Sequence, residues 1–168
     1  MYGLVELREY DPEWPGAYLR EALRLRDALG ERVVRLEHVG STSVAGLLAK
    51  PIIDIVLEVA DSSQEHAYVR DLEAVGYVLR IREPAWFQHR FLDRPDPRVN
   101  LHVFSAGCPE SERMLRFRDW LRINRLDRDL YARAKRELAS REWTELQHYA
   151  DAKTEVVSSI LARAGGPL

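Results

Sequence analysis

Apolar residues change their spacing several times along the chain, and each change marks an element. Trp14, Tyr18, Ala22, Leu25 and Leu29 recur every three or four positions. That spacing predicts a helix with one buried stripe, stopped by Gly30. Asp11 followed by Pro12 supplies an N-cap with proline at the first helical position. Arg32–Val39 alternates, with Val34, Leu36 and His38 on one face, as a half-buried strand does. Pro51–Val59 is rich in Ile, Val and Leu and reads as a buried strand. Ser62 with Glu65 makes a capping-box pattern for a helix to about Val75, where Gly76 stops it. Strand patterns follow at Tyr77–Arg82, Trp86–Leu92 and Arg98–Ser105, the last two joined by the turn Arg94-Pro95-Asp96-Pro97. The remainder is helical over Pro109–Asn124, Asp127–Ser140 and Thr144–Ala164, with Thr144 and Gln147 as a second capping box. Leu4–Arg8 reads as a short edge strand. The expected fold is α/β: a mixed sheet of about five strands flanked by helices, with a helical C-terminal part at about 109–164. It forms one domain over residues 1–168.

Candidate chemistry concentrates between His38 and Glu58. Gly40 lets the backbone approach a ligand, and Ser41 and Thr42 stand where a helix would begin. Free N–H groups and the helix dipole there favour a phosphate, with Lys50 as a nearby positive charge. The commoner use of such residues is a plain strand-to-helix link capped by Ser and Thr, and spacing alone favours that use. Asp54 lies among Ile52, Ile53, Ile55, Val56 and Leu57. An acid there is costly unless it is paired, hydrogen-bonded or metal-bound, so a functional acid is the better reading.

Histidines form a second group. A hairpin centred on Pro95-Asp96 sets His89 opposite His102 and Phe91 opposite Asn100. Two imidazoles on one face can bind a divalent metal or act as general base, and His38 joins them if its strand is adjacent. Each is equally readable as a hydrogen-bonded structural histidine. Arg90 falls on the face opposite to His89 and Phe91, while His66 and His148 read as surface residues on helices. Arg118 and Arg122, one helical turn apart, present a joint positive face or ordinary surface pairs. Tyr131, Lys135, Tyr149 and Lys153 either close over a ligand or pack amphipathically, and packing is the favoured reading.

Several blocks in order resemble the GrpB-like family: Tyr10-Asp11-Pro12-Glu13-Trp14, His38-Val-Gly-Ser-Thr-Ser-Val, Lys50-Pro-Ile-Ile-Asp-Ile, His89-Arg90-Phe91, Asn100-Leu-His-Val-Phe, Arg118-Asp119-Trp120-Leu121-Arg122, and Tyr149 with Lys153. That family resembles the nucleotidyltransferase superfamily, which includes DNA polymerase beta. The resemblance implies a nucleotidyltransferase-like fold and transfer of a nucleotidyl group from an NTP to a small molecule or protein, assisted by Mg or Mn. It implies phosphate binding by Gly40, Ser41, Thr42 and Lys50, and a catalytic Asp54. The metal set becomes Asp54, His102 and His89, with His102 as remaining ligand or base and His38, Arg90 and Asn100 nearby. One departure stands out: the second metal-binding acid of the superfamily falls at position 56, which is Val56. Glu58 shares the face of Asp54 but lies about 13 Å along the strand. The alternative is a non-catalytic nucleotide- or CoA-related module, because GrpB-like domains also occur fused to dephospho-CoA kinases.

Composition narrows the partners. Net charge is −2 with 31% charged residues, so no bulk attraction to nucleic acid is expected. The single Cys108 excludes an internal disulfide framework and fits a reducing cytoplasm. The first residues lack a signal-peptide pattern and no run reaches a membrane span, so the expected setting is cytoplasmic. Zinc motifs, a P-loop and Ser-His-Asp spacing are absent from the sequence.

Overall fold

The strand patterns resolve into one five-stranded sheet in a computed structural model that describes residues 6–140 and 146–165. The elements run α1 (Trp14–Leu29), β1 (Arg35–Val39), β2 (Ile53–Val59), α2 (Val69–Ala74), β3 (Val78–Glu83), β4 (His89–Pro95), β5 (Arg98–Ser105), α3 (Pro109–Ile123), α4 (Arg125–Ala139) and α5 (Leu146–Arg163). Strand order is β1-β2-β5-β4-β3. Only β2 and β5 pair in parallel; the other neighbours are antiparallel. The fold is a mixed α/β sheet flanked by helices, as expected.

Side chains alternate across a strand, so the register sorts the chain onto two faces. Ile53, Ile55, Leu57 and Val59 of β2 share one face with Val99, Leu101 and Val103 of β5. They pack on Trp14, Ala22, Leu25 and Leu29 of α1 and on Val69 and Leu72 of α2. Each large aliphatic side chain fully buried here contributes roughly 1.5–3 kcal/mol, which makes this face the main core. Asp54, Val56 and Glu58 point the other way, with Asn100, His102 and Phe104. α3 covers the far half of that second face, where Val39, Val56, Phe104, Cys108 and Leu115 form a small cluster. The near half stays open. A third cluster joins Val44, Leu47 and Leu48, from the β1–β2 connection, to Leu121, Tyr131 and Ile160 of the C-terminal helices. These helices therefore close over the connection that begins at Gly40.

Several expectations need correction. Asp11 does not cap α1; Glu13 precedes the helix and Pro15 lies in its first turn. Asp11 Oδ1 instead accepts from the Glu13 N–H at 2.8 Å and turns the chain just before it. Ser62 caps no helix either: its hydroxyl donates to Gln88 O at 2.7 Å and lies 3.1 Å from Ser105 Oγ. A tertiary bond wins over the local capping pattern, and α2 starts only at Val69. β4 starts at His89 rather than Trp86, because residues 84–88 turn, with Phe87 and Gln88 at positive φ. The β4–β5 loop is Asp96-Pro97, with Pro95 opposite Arg98. Phe91 therefore faces His102, and Asp93 faces Asn100. That register is two residues from the expected one, and an even shift leaves every side chain on its face. Val34 is exposed, one residue before β1 begins. Of the expected first strand, Arg8 bridges to Ala49; Leu4, Val5 and the Thr144 capping box lie outside the described residues.

β3 is an outer strand of the sheet and carries a register irregularity between Leu79 and Ile81. Its Arg80 donates to Asp93 Oδ1 at 2.9 Å and its Arg82 to Glu65 Oε2 at 2.7 Å.

Candidate functional site

Asp54 opens β2 on the uncovered half of the sheet, paired with Val39 on one side and Asn100 on the other. Directly above it the chain leaves β1 through Gly40. A Cβ on Gly40 would lie 2.6 Å from Asp54 Oδ2, and its φ of +74° belongs to the left-handed region. The glycine therefore makes room for the carboxylate itself. Ser41–Ser43 follow as a single 3₁₀ turn, not the start of an α-helix. The expected macrodipole is absent, since a dipole needs aligned peptides over several turns.

These residues line a half-enclosed cavity of about 250 Å³. Gly40, Ser41, Lys50, Asp54 and Asn100 border it, together with Arg118, Tyr131, Lys135 and Lys153. Sequence reasoning read Lys135 as packing, yet it is the most perturbed base of the site. It is 2% exposed, and its Nζ donates to Ser41 Oγ at 2.6 Å and to Leu48 O at 3.0 Å. Burial, then repulsion from Lys153, pushes its amine down to about 6. Its signal was in the sequence: Lys135 falls four residues after Tyr131 and three before Leu138, both buried, on one stripe of α4. A lysine on a buried stripe calls for an anionic or carbonyl partner. Lys50 is also pushed down, by burial and then by Lys153. Arg118 donates to Glu37 Oε2 at 2.7 Å and to His38 O at 3.0 Å, so part of its charge is offset. Arg122 donates to Ser43 O at 3.0 Å and braces the turn from behind.

The histidines divide. His102 Nε2 lies 3.6 Å from Asp54 Oδ1, and His89 Nε2 lies 3.2 Å from His102 Nδ1. All three share the expected face. His89 is nonetheless no third ligand, because its Nδ1 is 2.8 Å from Glu83 Oε1 and both ring nitrogens are occupied. Among the described residues, no group of three or more histidine, cysteine or carboxylate side chains is placed to hold a metal ion. His38 is on the opposite face, opposite Ile55, stacked on Tyr18 with ring centroids 4.9 Å apart. Burial pushes it down to about 4, so it is neutral. Thr42 lines the cavity, but its hydroxyl donates to Ile52 O at 3.1 Å. The hydroxyl oxygen must then accept from His38 Nε2, 2.9 Å away. Thr42 and His38 thus support the turn from the core side, and the Thr42 hydroxyl has no proton left for a phosphate. Arg90, on the same core-side face, is buried and pairs with Glu65 at 2.7 Å; it does not reach the cavity. Val56, at the position where the resemblance implies a second acid, is sealed under α3 with 0% exposure. An ionised carboxylate there would be desolvated, so the second acid has no place in this packing. Glu58 is 2% exposed, and its Oε1 accepts from the Gly107 N–H at 2.9 Å.

Fold and site together define an α/β domain whose open sheet face carries one acid beneath a glycine turn and a wall of basic side chains. A family model described as GrpB protein matches residues 4–163. The chain belongs to the GrpB family. It is 61% identical to a UPF0157 protein of Halalkalibacterium halodurans over 95% of this chain and 82% of that one. A crystal structure of conserved protein GrpB from Enterococcus faecalis superposes with a TM-score of 0.80 at 29% identity, covering 94% of this chain and 98% of that one. A dephospho-CoA kinase of Mycolicibacterium paratuberculosis is 30% identical over 89% of this chain, which spans 43% of that protein. Among the described residues, no helix is long and apolar enough to cross a membrane.

Proposed function

We propose that the cavity binds the phosphates of a nucleoside triphosphate, and that the protein transfers a nucleotidyl group to a small-molecule or protein acceptor with a divalent cation at Asp54. One observation carries this reading. Lys50, Arg118, Lys135 and Lys153 border the same cavity as the Gly40–Ser41 turn and Asp54. Its volume of about 250 Å³ is below the roughly 300–1,000 Å³ of pockets that enclose whole drug-sized ligands. That size suits the phosphate tail, with the base outside. The donors fit a divalent cation that keeps water and phosphate ligands: one carboxylate and the Nε2 of His102, 3.6 Å apart. When bound, Mg or Mn supplies charge compensation for the phosphate under attack. Ser41, Lys50 and Lys135 hold the phosphate oxygens, and Asn100 orients them beside Asp54. Lys135 has a further part. Burial depresses it to about 6, and an anion beside it favours its charged form. Binding therefore favours uptake of a proton at this amine.

The test is calorimetric titration of ATP and GTP with Mn²⁺, in two buffers of different ionisation heat, on the wild type and Asp54→Asn. Metal-dependent binding with proton uptake is expected in the wild type. Asp54→Asn should lose the metal-linked part while its unfolding midpoint in urea stays equal or slightly higher. No binding at millimolar triphosphate, or equal binding by both proteins, sinks the reading.

A second reading, a non-catalytic nucleotide- or CoA-related module, is favoured by the sealed Val56 and by the similarity to a dephospho-CoA kinase. Release of pyrophosphate from bound triphosphate separates the two: transfer produces it and a passive module does not.

A further inference from the structure

Glu83, His89, His102 and Asp54 form one line of polar atoms. Glu83 and His89 are the closing pair of the β3–β4 hairpin, which sets Glu83 Oε1 2.8 Å from His89 Nδ1. His89 Nε2 follows at 3.2 Å from His102 Nδ1, and His102 Nε2 at 3.6 Å from Asp54 Oδ1. When both imidazoles are neutral, there is one way to place the protons. An ionised carboxylate only accepts, so His89 carries its proton on Nδ1. His89 Nε2 is then an acceptor, and His102 must donate to it from Nδ1. That leaves the His102 Nε2 lone pair facing a carboxylate oxygen, two acceptors with no hydrogen between them.

Packing holds the line in place. His89 is 5% exposed and packs on Phe104 and Trp86, with ring centroids at 4.9 and 5.0 Å. The turn before it keeps Phe87 and Gln88 at φ of 56° and 51°, a conformation that persists only where the surroundings enforce it.

We propose that Glu83 and His89 are positioning residues that hold His102 in the Nδ1–H form, so that its bare Nε2 and Asp54 make a nitrogen–oxygen pair selective for Mn²⁺ over Mg²⁺. The inference rests on the reading of Asp54 as a cation ligand and adds the identity of the cation and the residues that set it. Imidazole suits transition metals and carboxylate suits both ions, and outer partners commonly change metal affinity 10–100-fold.

Nitrogen-15 NMR of the histidine rings at about pH 8, above the ordinary histidine range, reads the tautomer directly. Calorimetric titration with MnCl₂ or MgCl₂ alone reads the preference. His102 should be Nδ1–H in the wild type and in Glu83→Gln, whose amide oxygen still accepts. His89→Phe keeps a ring in the aromatic cluster but removes the acceptor. His102 should revert there to Nε2–H, with Mn²⁺ affinity down about tenfold or more and Mg²⁺ affinity little changed. Glu83→Ala, at a partly exposed position, should shift both readouts in the same direction and serves where His89→Phe does not fold. An Nε2–H ring in the wild type overturns the inference, and so does a folded variant of either kind with unaltered tautomer and Mn²⁺ preference. Failure of triphosphate binding with the tautomer and preference intact removes the nucleotide reading and leaves this one standing.

Discussion

His38 and His102 are imidazoles of one sheet, and its two faces treat them differently. On the α1 side, His38 is sealed, stacked on Tyr18 and bonded to Thr42. On the other side, His102 keeps 22% of its side chain exposed beside Asp54. The same division runs along β5, where Leu101 has no exposure and its neighbour Asn100 borders the cavity. A helix laid flat on one face leaves no room for solvated polar groups, so each must find a fixed partner. The other face is only half covered, and the polar side chains of its open half can wait for a ligand. Face, more than residue type, decides which groups carry structure and which are free for chemistry.

The sharpest way to break this contrast is Leu101→Ala. It should cost about 2–5 kcal/mol of stability, the range for truncating a sealed core residue. Urea unfolding measures it, and a loss below about 1 kcal/mol would show that this face is not the main core. His38 comes next, through acid. The unfolded side chain titrates at 6.5 and the folded one at about 4, so between those values the unfolded chain binds more protons. Stability is therefore complete above pH 6.5 and falls towards pH 4, by up to about 3 kcal/mol. His38→Gln, which can still donate to Thr42, should flatten that part of the profile; an unchanged slope assigns the acid loss to other groups. The smallest structural effect belongs to Asn100→Ala. It should move stability by less than about 1 kcal/mol yet weaken triphosphate binding about tenfold, the loss of one hydrogen bond to a charged group. A large loss of stability with binding intact would reverse the roles assigned to the two faces.

Local pattern made much of this legible. The α1 stripe, the apolar β2 and the punctuation at Gly30 and Gly76 depend on neighbours in sequence, and the structure repeats them. The shared face of His89 and His102 was readable because alternation tolerates a slip of two residues. What escaped reading depends on partners distant in the chain. Ser62 has a capping pattern, but Gln88 and Ser105 supply a better bond. The face of His38 follows from β1 pairing antiparallel with β2, and no local spacing reveals that. Glu83 gave no signal, because its role exists only once the hairpin closes against His89. Lys135 did leave a trace, a cation on a buried stripe, and packing is the commoner reason for such spacing.

The outer strand β3 has a consequence for how copies of this protein meet. A sheet margin presents unpaired peptide groups that can recruit a strand from another molecule, the first step of aggregation. β3 combines an irregular register near Arg80 with two arginines, and both features discourage such recruitment. Val78 and Ile81, 42% and 47% exposed, are the adhesive residues these arginines interrupt. The strand also ends in Glu83, so a molecule docked along it would crowd the carboxylate that orients the histidines. Keeping that margin solitary protects the colloidal behaviour of the protein and the geometry of its cavity together.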